Sequence, residues 1–402
     1  MTSAGFGSGA LLFTPMVNKL MDKFKKLPEY LGPQGEVNVE NRDGKSGGQF
    51  KEVVLATKAD IARLPYELQE GWYVVGSGST GAAPALAAMG LTYLGIMGWA
   101  AYNIRTPYPG YTVETSAAEN ENKNKYVAPV PKGNVDMDTV MKTPQFYLLG
   151  TVFFCLASGG MGLFSVAKPM MADVFSSALP SIVTASFASS YILMMSSGNL
   201  GGRIGWAALS DKIGRRRVFQ LFTFGSIPLY LSLPFFVDSV ISTGSALPLA
   251  AFIASTTLAI SAMGGTYALL PAYESDLFGS KYVGGIHGRV LLASSASALA
   301  GPSALIWMRG QSEKNAIKDL ISKVDPTDFQ STFGADPSQY EQLLEARSLT
   351  IPRLMDLVPE GIPDPTPHIY DTTMYTLSGL MAVAAVAHSL VKPVNPKYFE
   401  KK

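Results

Sequence analysis

The sequence predicts an all-α integral membrane protein with about eight transmembrane helices. Three observations predict it. Only 16% of the 402 residues are charged, against about 25% in an ordinary soluble domain. Mean hydropathy is positive. The apolar residues also fall in uncharged runs of about 20, the length a helix needs to cross a bilayer. Soluble proteins rarely carry that many.

The runs are 2–20, 82–104, 145–168, 181–202, 218–237, 247–272, 289–308 and 373–391. The first, around GFGSGALLFTP, is the weakest, being short and glycine-rich. It does not read as a cleavable signal peptide, because it lacks a basic n-region and the following NKLMDKFKK offers no small-residue cleavage site. The middle of each run contains no Asp, Glu, Lys or Arg.

Several function classes are disfavoured. A net charge of +1 gives no footprint for nucleic acid. Cys155 is the only cysteine, so neither an internal disulfide nor a cysteine metal site is expected. His287, His368 and His388 are far apart in sequence, and no metal or cofactor is expected. No nucleophile, base and orienting group share a recognisable spacing, so an enzyme is not expected.

Basic residues orient the runs. Arg203, Lys212, Arg215, Arg216 and Arg217 share one short connection, expected on the inner (cytosolic or matrix-type) side. Alternation then places Arg105, Lys123, Lys125, Lys132 and Lys142 inside. The Lys281–Arg289 turn and the tail with Lys392, Lys397, Lys401 and Lys402 fall on the same side. The connections 169–180 and 238–246 lack Lys and Arg and fall outside. Both termini are expected inside. Two outer loops are long: the polar stretch 21–81, expected as a surface loop, and 309–372. The latter contains helix-like stretches, EKNAIKDLISKV and SQYEQLLEARSL, expected as a small cap.

The connection itself, ALSDKIGRRR, closely resembles the loop signature of the major facilitator superfamily. Asp211, Lys212, Gly214, Arg215, Arg216 and Arg217 fall at the family's spacing, and Ala207 stands where the family has its first glycine. Residues 270–302, LPAYESDLFGSKYVGGIHGRVLLASSASALAGP, look like the tenth-to-eleventh helix region of the oxalate/formate antiporter-like branch. Residues 370–394 look like its last helix and tail, and 5–15 like the start of its fifth helix.

The resemblance implies a truncated major facilitator fold, with equivalents of helices 5–12. Residues 1–104 would be a remnant of the N-terminal half, with the outer loop 21–81. Residues 105–144 would be an inner linker, and 145–402 a six-helix half with the outer insert 309–372. The family's fifth helix packs against the eighth, so Gly5, Gly7 and Gly9 would offer a small-residue packing face. Asp211 would meet a helix N-terminus there as a structural latch, a contact of about 0.3–1 kcal/mol.

Family members that handle small dicarboxylates place basic residues in their eighth and eleventh helices. Here the eighth-like run has none, and Ser294 stands at the position of a family lysine. The substrate path that remains would be vestigial, lined by Tyr191, Ser294 and Ser295, with Lys168 snorkelling at the outer end of its run. The expected function is therefore a non-transporting accessory subunit of a larger membrane complex, respiratory-type and mitochondrial. Its partners would be membrane lipid and other membrane protein subunits. The alternative is a carrier of a small carboxylate, such as oxalate, formate or another monocarboxylate, completed by a second chain or a longer gene product.

Overall fold

A computed structural model describes residues 2–33, 51–56, 61, 68–105, 133–345 and 348–400. They divide into two compact units, Met1–Ser8 with Lys123–Lys402, and Gly9–Asn122. Each of the eight apolar runs falls largely in helix, the run 181–202 from Ala185 onward and the run 218–237 shared between two helices. Among the described residues, five stretches are long and apolar enough to cross a bilayer: Ala82–Asn103, Pro144–Phe175, Arg215–Thr243, Ala246–Phe278 and Val283–Ile321. The other three runs are helical too, but polar residues and glycines dilute them. Most of the expected linker, from 106 to 132, lies outside the described residues, as does the packing around Gly5 and Gly7.

Helix α1 (Thr2–Phe24), which belongs to the smaller unit from Gly9 onward, leads into a three-stranded antiparallel sheet. Its strands are β1 (Tyr30–Gly32), β2 (Val53–Ala56) and β3 (Gly71–Val74), in the order β1-β3-β2. The stretch expected as a plain polar loop thus carries regular structure. The reason is local: VVLA and GWYV are β-branched and aromatic, and Tyr73 is buried between Tyr30 and Val54. Helix α2 (Ala82–Asn103) follows, joined to α1 by an edge-to-face contact of Phe13 with Tyr93 at 4.9 Å. Much of its apolar surface is exposed, Trp99 by 71%.

The larger unit begins with the short α3 (Met137–Val140). The long helices α4 (Pro144–Phe175), α5 (Ala185–Ile213) and α6 (Arg215–Leu231) follow. Then come α7 (Leu233–Thr243), α8 (Ala246–Phe278) and α9 (Val283–Ile321). The insert holds α10 (Pro326–Phe333), α11 (Tyr340–Glu345) and α12 (Ile351–Met355), and α13 (Asp371–Ser389) ends the bundle. Boundaries follow capping chemistry. Pro144 opens α4 where its missing N–H costs nothing. Thr184 caps α5 by accepting from the Phe187 amide. Gly214, at φ 93°, turns the chain from α5 into α6.

Two observations correct the expected boundaries. Helix α4 does not stop at Lys168 but continues through Pro169 to Phe175. EKNAIKDLISKV is not a separate element of the insert; its first nine residues, through Ile321, are the last part of α9, one helix of 39 residues. At 1.5 Å per residue that is about 58 Å, nearly twice the hydrocarbon thickness.

Glycines set the closest helix contacts. At Gly202 of α5 an added Cβ would strike the backbone of Ser261, and at Gly264 of α8 the backbone of Asn199. A second seam joins α4 to α9, where an added Cβ at Gly301 would strike the backbone of Ser158.

At one end of the bundle, Arg309 of α9 gathers three helices. Its Nη2 lies 2.8 Å from Asp173 of α4, its Nη1 2.8 Å from Glu313, and its Nε donates to the Tyr370 hydroxyl at 2.8 Å. Replacing Arg309 with alanine leaves a mostly buried carboxylate at Asp173 without its counter-charge, with only the Tyr370 hydroxyl at 3.2 Å still donating to it. The expected cost is about 3 kcal/mol, read as a lowered thermal midpoint in detergent.

The opposite end is basic. There Arg215 forks onto Asp276 at 3.0 and 3.2 Å, and Arg289 pairs with Asp138 at 3.0 Å. Glu400 of the tail accepts from the Tyr282 hydroxyl at 2.6 Å and pairs with Lys281 at 3.1 Å. The Tyr282 hydroxyl, then Lys281, hold its carboxyl below the usual glutamate range. A depressed folded value stabilises docking above the unfolded value of about 4.3, and the effect is lost as pH falls through the folded one. The Glu400 amide donates to the Asn134 carbonyl at 2.9 Å. After correction for intrinsic rate, its hydrogen exchange is expected to speed up below about pH 4.

Candidate functional site

The site begins with a residue that sequence reading assigned to a loop. Arg203 lies inside α5, eleven residues before Gly214. It is only 5% exposed. Helical side chains lean toward the helix N-terminus, which carries this guanidinium away from the basic end and toward Asn199. Its Nε donates to Asn199 Oδ1 at 3.1 Å, one turn earlier in the same helix.

Helix α8 supplies the next group. The Arg203 guanidinium lies over the Tyr267 ring, 5.2 Å from its centroid. A cation–π contact in a desolvated setting contributes up to about 2 kcal/mol and offsets part of the cost of burying the charge. The Tyr267 hydroxyl lies 2.5 Å from Ser294 Oγ on α9. Trp206 Nε1, three residues beyond Arg203, donates to Ser261 Oγ at 3.0 Å and ties α5 to α8 beside the arginine.

Depth follows from counting. Tyr267 is eleven residues from the end of α8, and Ser294 eleven from the start of α9. Each of the three residues is therefore about 16 Å along its helix from the basic end. That is roughly half of a 30 Å hydrocarbon layer. Arginine, tyrosine and serine thus meet at mid-depth on three helices. A planar guanidinium with hydroxyl donors beside it matches a carboxylate.

The other expected site residues are dispersed. Tyr191 is fully buried, and its hydroxyl donates to Thr256 Oγ1 at 2.9 Å, inside the α5–α8 packing. Ser295 is exposed and directs its hydroxyl at the Leu291 carbonyl of its own helix. Lys168 is exposed on α4. Asp211 is 56% exposed and lies 4.0 Å from Arg215. Of the signature residues, Arg215 makes the inter-helix anchor, while Lys212, Arg216 and Arg217 face outward. The latch contact of Asp211 with the N-terminal residues falls on side chains outside those described. An added Cβ at Gly9 meets nothing within 4 Å. Among the described residues, no group of three His, Cys, Asp or Glu is placed to hold a metal ion.

Arg203 was missed because the apolar run ends at Gly202, and the arginine was grouped with bases up to fourteen residues away. The signal was present. The stretch from Ile204 to Ser210 contains no charge, proline or turn former apart from Gly205, so nothing in it ends a helix before the Asp211 turn.

No family model matches the chain. Two curated proteins are similar to it. Over 162 residues, 40% of this chain, it is 31% identical to the oxalate:formate antiporter of Oxalobacter formigenes. Over 309 residues, 74% of the chain, it is 23% identical to apicoplast pyruvate carrier 1 of Toxoplasma gondii. The matched stretches span 35% and 50% of those proteins' lengths. With its long apolar helices and carrier-type relatives, the chain is a transporter-like integral membrane protein.

Proposed function

We propose that the chain carries a small carboxylate, with Arg203 as the group that holds the anion at mid-depth. The observation behind this reading is the buried Arg203 over Tyr267, with Ser294 within hydrogen bonding of that tyrosine. An ionisable residue inside a span is costly and marks a pathway more often than a packing site. The reading reverses the expectation of a charge-free core, in which an anion would have met hydroxyls alone. Both relatives carry small carboxylates by name, which supports the substrate class. The proposed architecture is of major facilitator type, from the oxalate/formate antiporter-like branch, with the basic end and both termini on the inner side.

The test is ligand-induced stabilisation of the purified chain in detergent. Millimolar oxalate, formate or pyruvate is expected to raise the thermal midpoint, while equal chloride is not. At a hundred times Kd the gain is about 2.7 kcal/mol. No shift with any carboxylate at high concentration contradicts the reading.

One observation favours the accessory-subunit reading. The α2 helix leaves Leu91, Leu94, Met97 and Trp99 exposed around its circumference. Lipid covers such a surface in a free carrier, and neighbouring subunits would cover it in a larger assembly of an organelle inner membrane such as the mitochondrial one. The composition of the native particle in mild detergent separates the two: fixed-stoichiometry partners support the subunit, and a particle without them supports the carrier.

A further inference from the structure

The seam between α8 and α9 carries a second polar contact besides Tyr267–Ser294. Glu274 Oε2 lies 3.0 Å from His287 Nδ1. The Glu274 side chain is completely buried, and its Oε1 has no hydrogen-bond partner. His287 is 21% exposed, which gives the pair a route to water. Glu274 lies seven residues beyond Tyr267 on α8, and His287 seven residues before Ser294 on α9. Seven residues make nearly two whole turns, so the two contacts are successive rungs on one face of each helix, about 10 Å apart.

We infer that the Glu274–His287 pair is a proton-binding site that couples proton movement to passage of the anion at Arg203. The coupling rests on the carboxylate-carrier reading above. With neutral imidazole and ionised carboxylate, the pair is a buried charge of −1 on the same seam as the anion site. A proton taken from water at Nε2 of His287 makes the pair neutral, with the carboxylate accepting from Nδ1–H. At 10 Å, and at the effective dielectric of a protein interior, relieving that charge strengthens anion binding by roughly tenfold. One proton and one carboxylate cross together, and the proton leaves His287 for water on release. For a monocarboxylate the cycle moves no net charge.

The other charged groups around the seam are engaged elsewhere. From α6, Arg215 holds Asp276, and Arg216 is exposed. From α13, His388 meets the Tyr273 hydroxyl at 3.3 Å. From α5, Arg203 lies against Tyr267, and Asp211 pairs with Arg215. From α3, Asp138 pairs with Arg289. Asp173 of α4 holds Arg309, Arg353 of α12 donates to the Ser348 carbonyl, and Asp238 of α7 lies near His368. His287 is the ionisable partner of Glu274.

Two measurements test the inference on the full chain. The first is infrared difference spectroscopy between alkaline and acid pH in detergent, which needs no transport. A signal that couples a carboxyl and an imidazole is expected, lost in Glu274→Gln and altered in His287→Gln. If the wild-type spectrum contains no Glu274-dependent signal, the proton site is overturned. The second is uptake of labelled pyruvate into proteoliposomes. An inward proton gradient is expected to stimulate wild-type uptake roughly tenfold. Glu274→Gln should lose the stimulation while exchange at equal pH persists, with His287→Gln as the second variant should the first fail to fold. Stimulation that survives in both variants overturns the coupling. Absence of any exchange by the wild type sinks the carrier reading and the coupling with it, while the infrared result still decides the proton site.

Discussion

Replacing Arg203 with glutamine is expected to weaken small-carboxylate binding and exchange by about a hundredfold. A hydrogen bond to a charged group contributes about 1.5–3 kcal/mol, and losing one such interaction at the upper end gives that factor. Glutamine keeps a donor and the approximate volume but loses the charge. Arg203→Lys keeps the charge and loses the planar fork and its stacking on Tyr267, so an intermediate loss is expected. The thermal midpoint of each variant is measured alongside. A loss of exchange at an unchanged midpoint assigns the effect to the anion, and a collapsed midpoint assigns it to packing. Tyr267→Phe provides a graded comparison: it retains the ring beneath the guanidinium and removes the hydroxyl at Ser294.

The second large effect is predicted at Gly264. Two terms oppose each other there. Alanine is better than glycine in a helix by about 1 kcal/mol. Yet a Cβ at Gly264 would be driven into the backbone of Asn199, which cannot swing aside as a side chain can. Overpacking costs about 1–3 kcal/mol where neighbours can adjust, and here the neighbour is the helix that carries Arg203. The packing term wins, so Gly264→Ala is expected to lower stability and Gly264→Val to lower it further. The control is Gly288 of α9, where an added Cβ meets nothing within 4 Å. Gly288→Ala is expected to be neutral or stabilising by up to about 1 kcal/mol. Chemical denaturation or thermal unfolding in detergent reads both. Opposite signs at the two glycines would confirm that the α5–α8 seam is closed to its limit. Because Asn199 also accepts from Arg203 Nε, parting this seam should weaken anion binding as well.

The helices were legible because hydrophobic runs report them directly: each run falls largely in helix, and five stretches among the described residues are long and apolar enough to cross a bilayer. Helix ends were less legible. Amphipathic ends continue beyond the apolar stretch, so α4 passes Lys168, α5 passes Arg203 and α9 runs on through EKNAIKDLI to Ile321. The helix ends conceal the candidate site, because Arg203 and Glu274 lie just beyond the apolar runs 181–202 and 247–272. The ALSDKIGRRR turn was legible as a turn, through Gly214. Its energetics were not: Arg215, not Asp211, makes the close inter-helix pair, and its partner Asp276 is sixty-one residues away in sequence. Spacing along one chain cannot reveal such a partner. The seam of Tyr267–Ser294 and Glu274–His287 was hidden for the same reason. Each contact depends on the register between two antiparallel helices, which no local pattern encodes.

The α2 helix and the node at Arg309 show how differently the chain's polar and apolar surfaces are used. Arg309 satisfies three partners at once, as expected of a group that fixes helices α4, α9 and the start of α13. The exposed leucines of α2 meet no such set of partners among the described residues, and a bilayer solvates them at no cost.

The most direct test of the central claim is counterflow by the wild-type chain alone. Liposomes containing the purified protein are loaded with unlabelled oxalate or pyruvate and diluted into a trace of the labelled anion. If Arg203 serves a carboxylate path, label accumulates transiently above its equilibrium level, and Arg203→Gln abolishes the overshoot. Label uptake by wild-type liposomes that matches protein-free liposomes, for each carboxylate tried, would contradict the account.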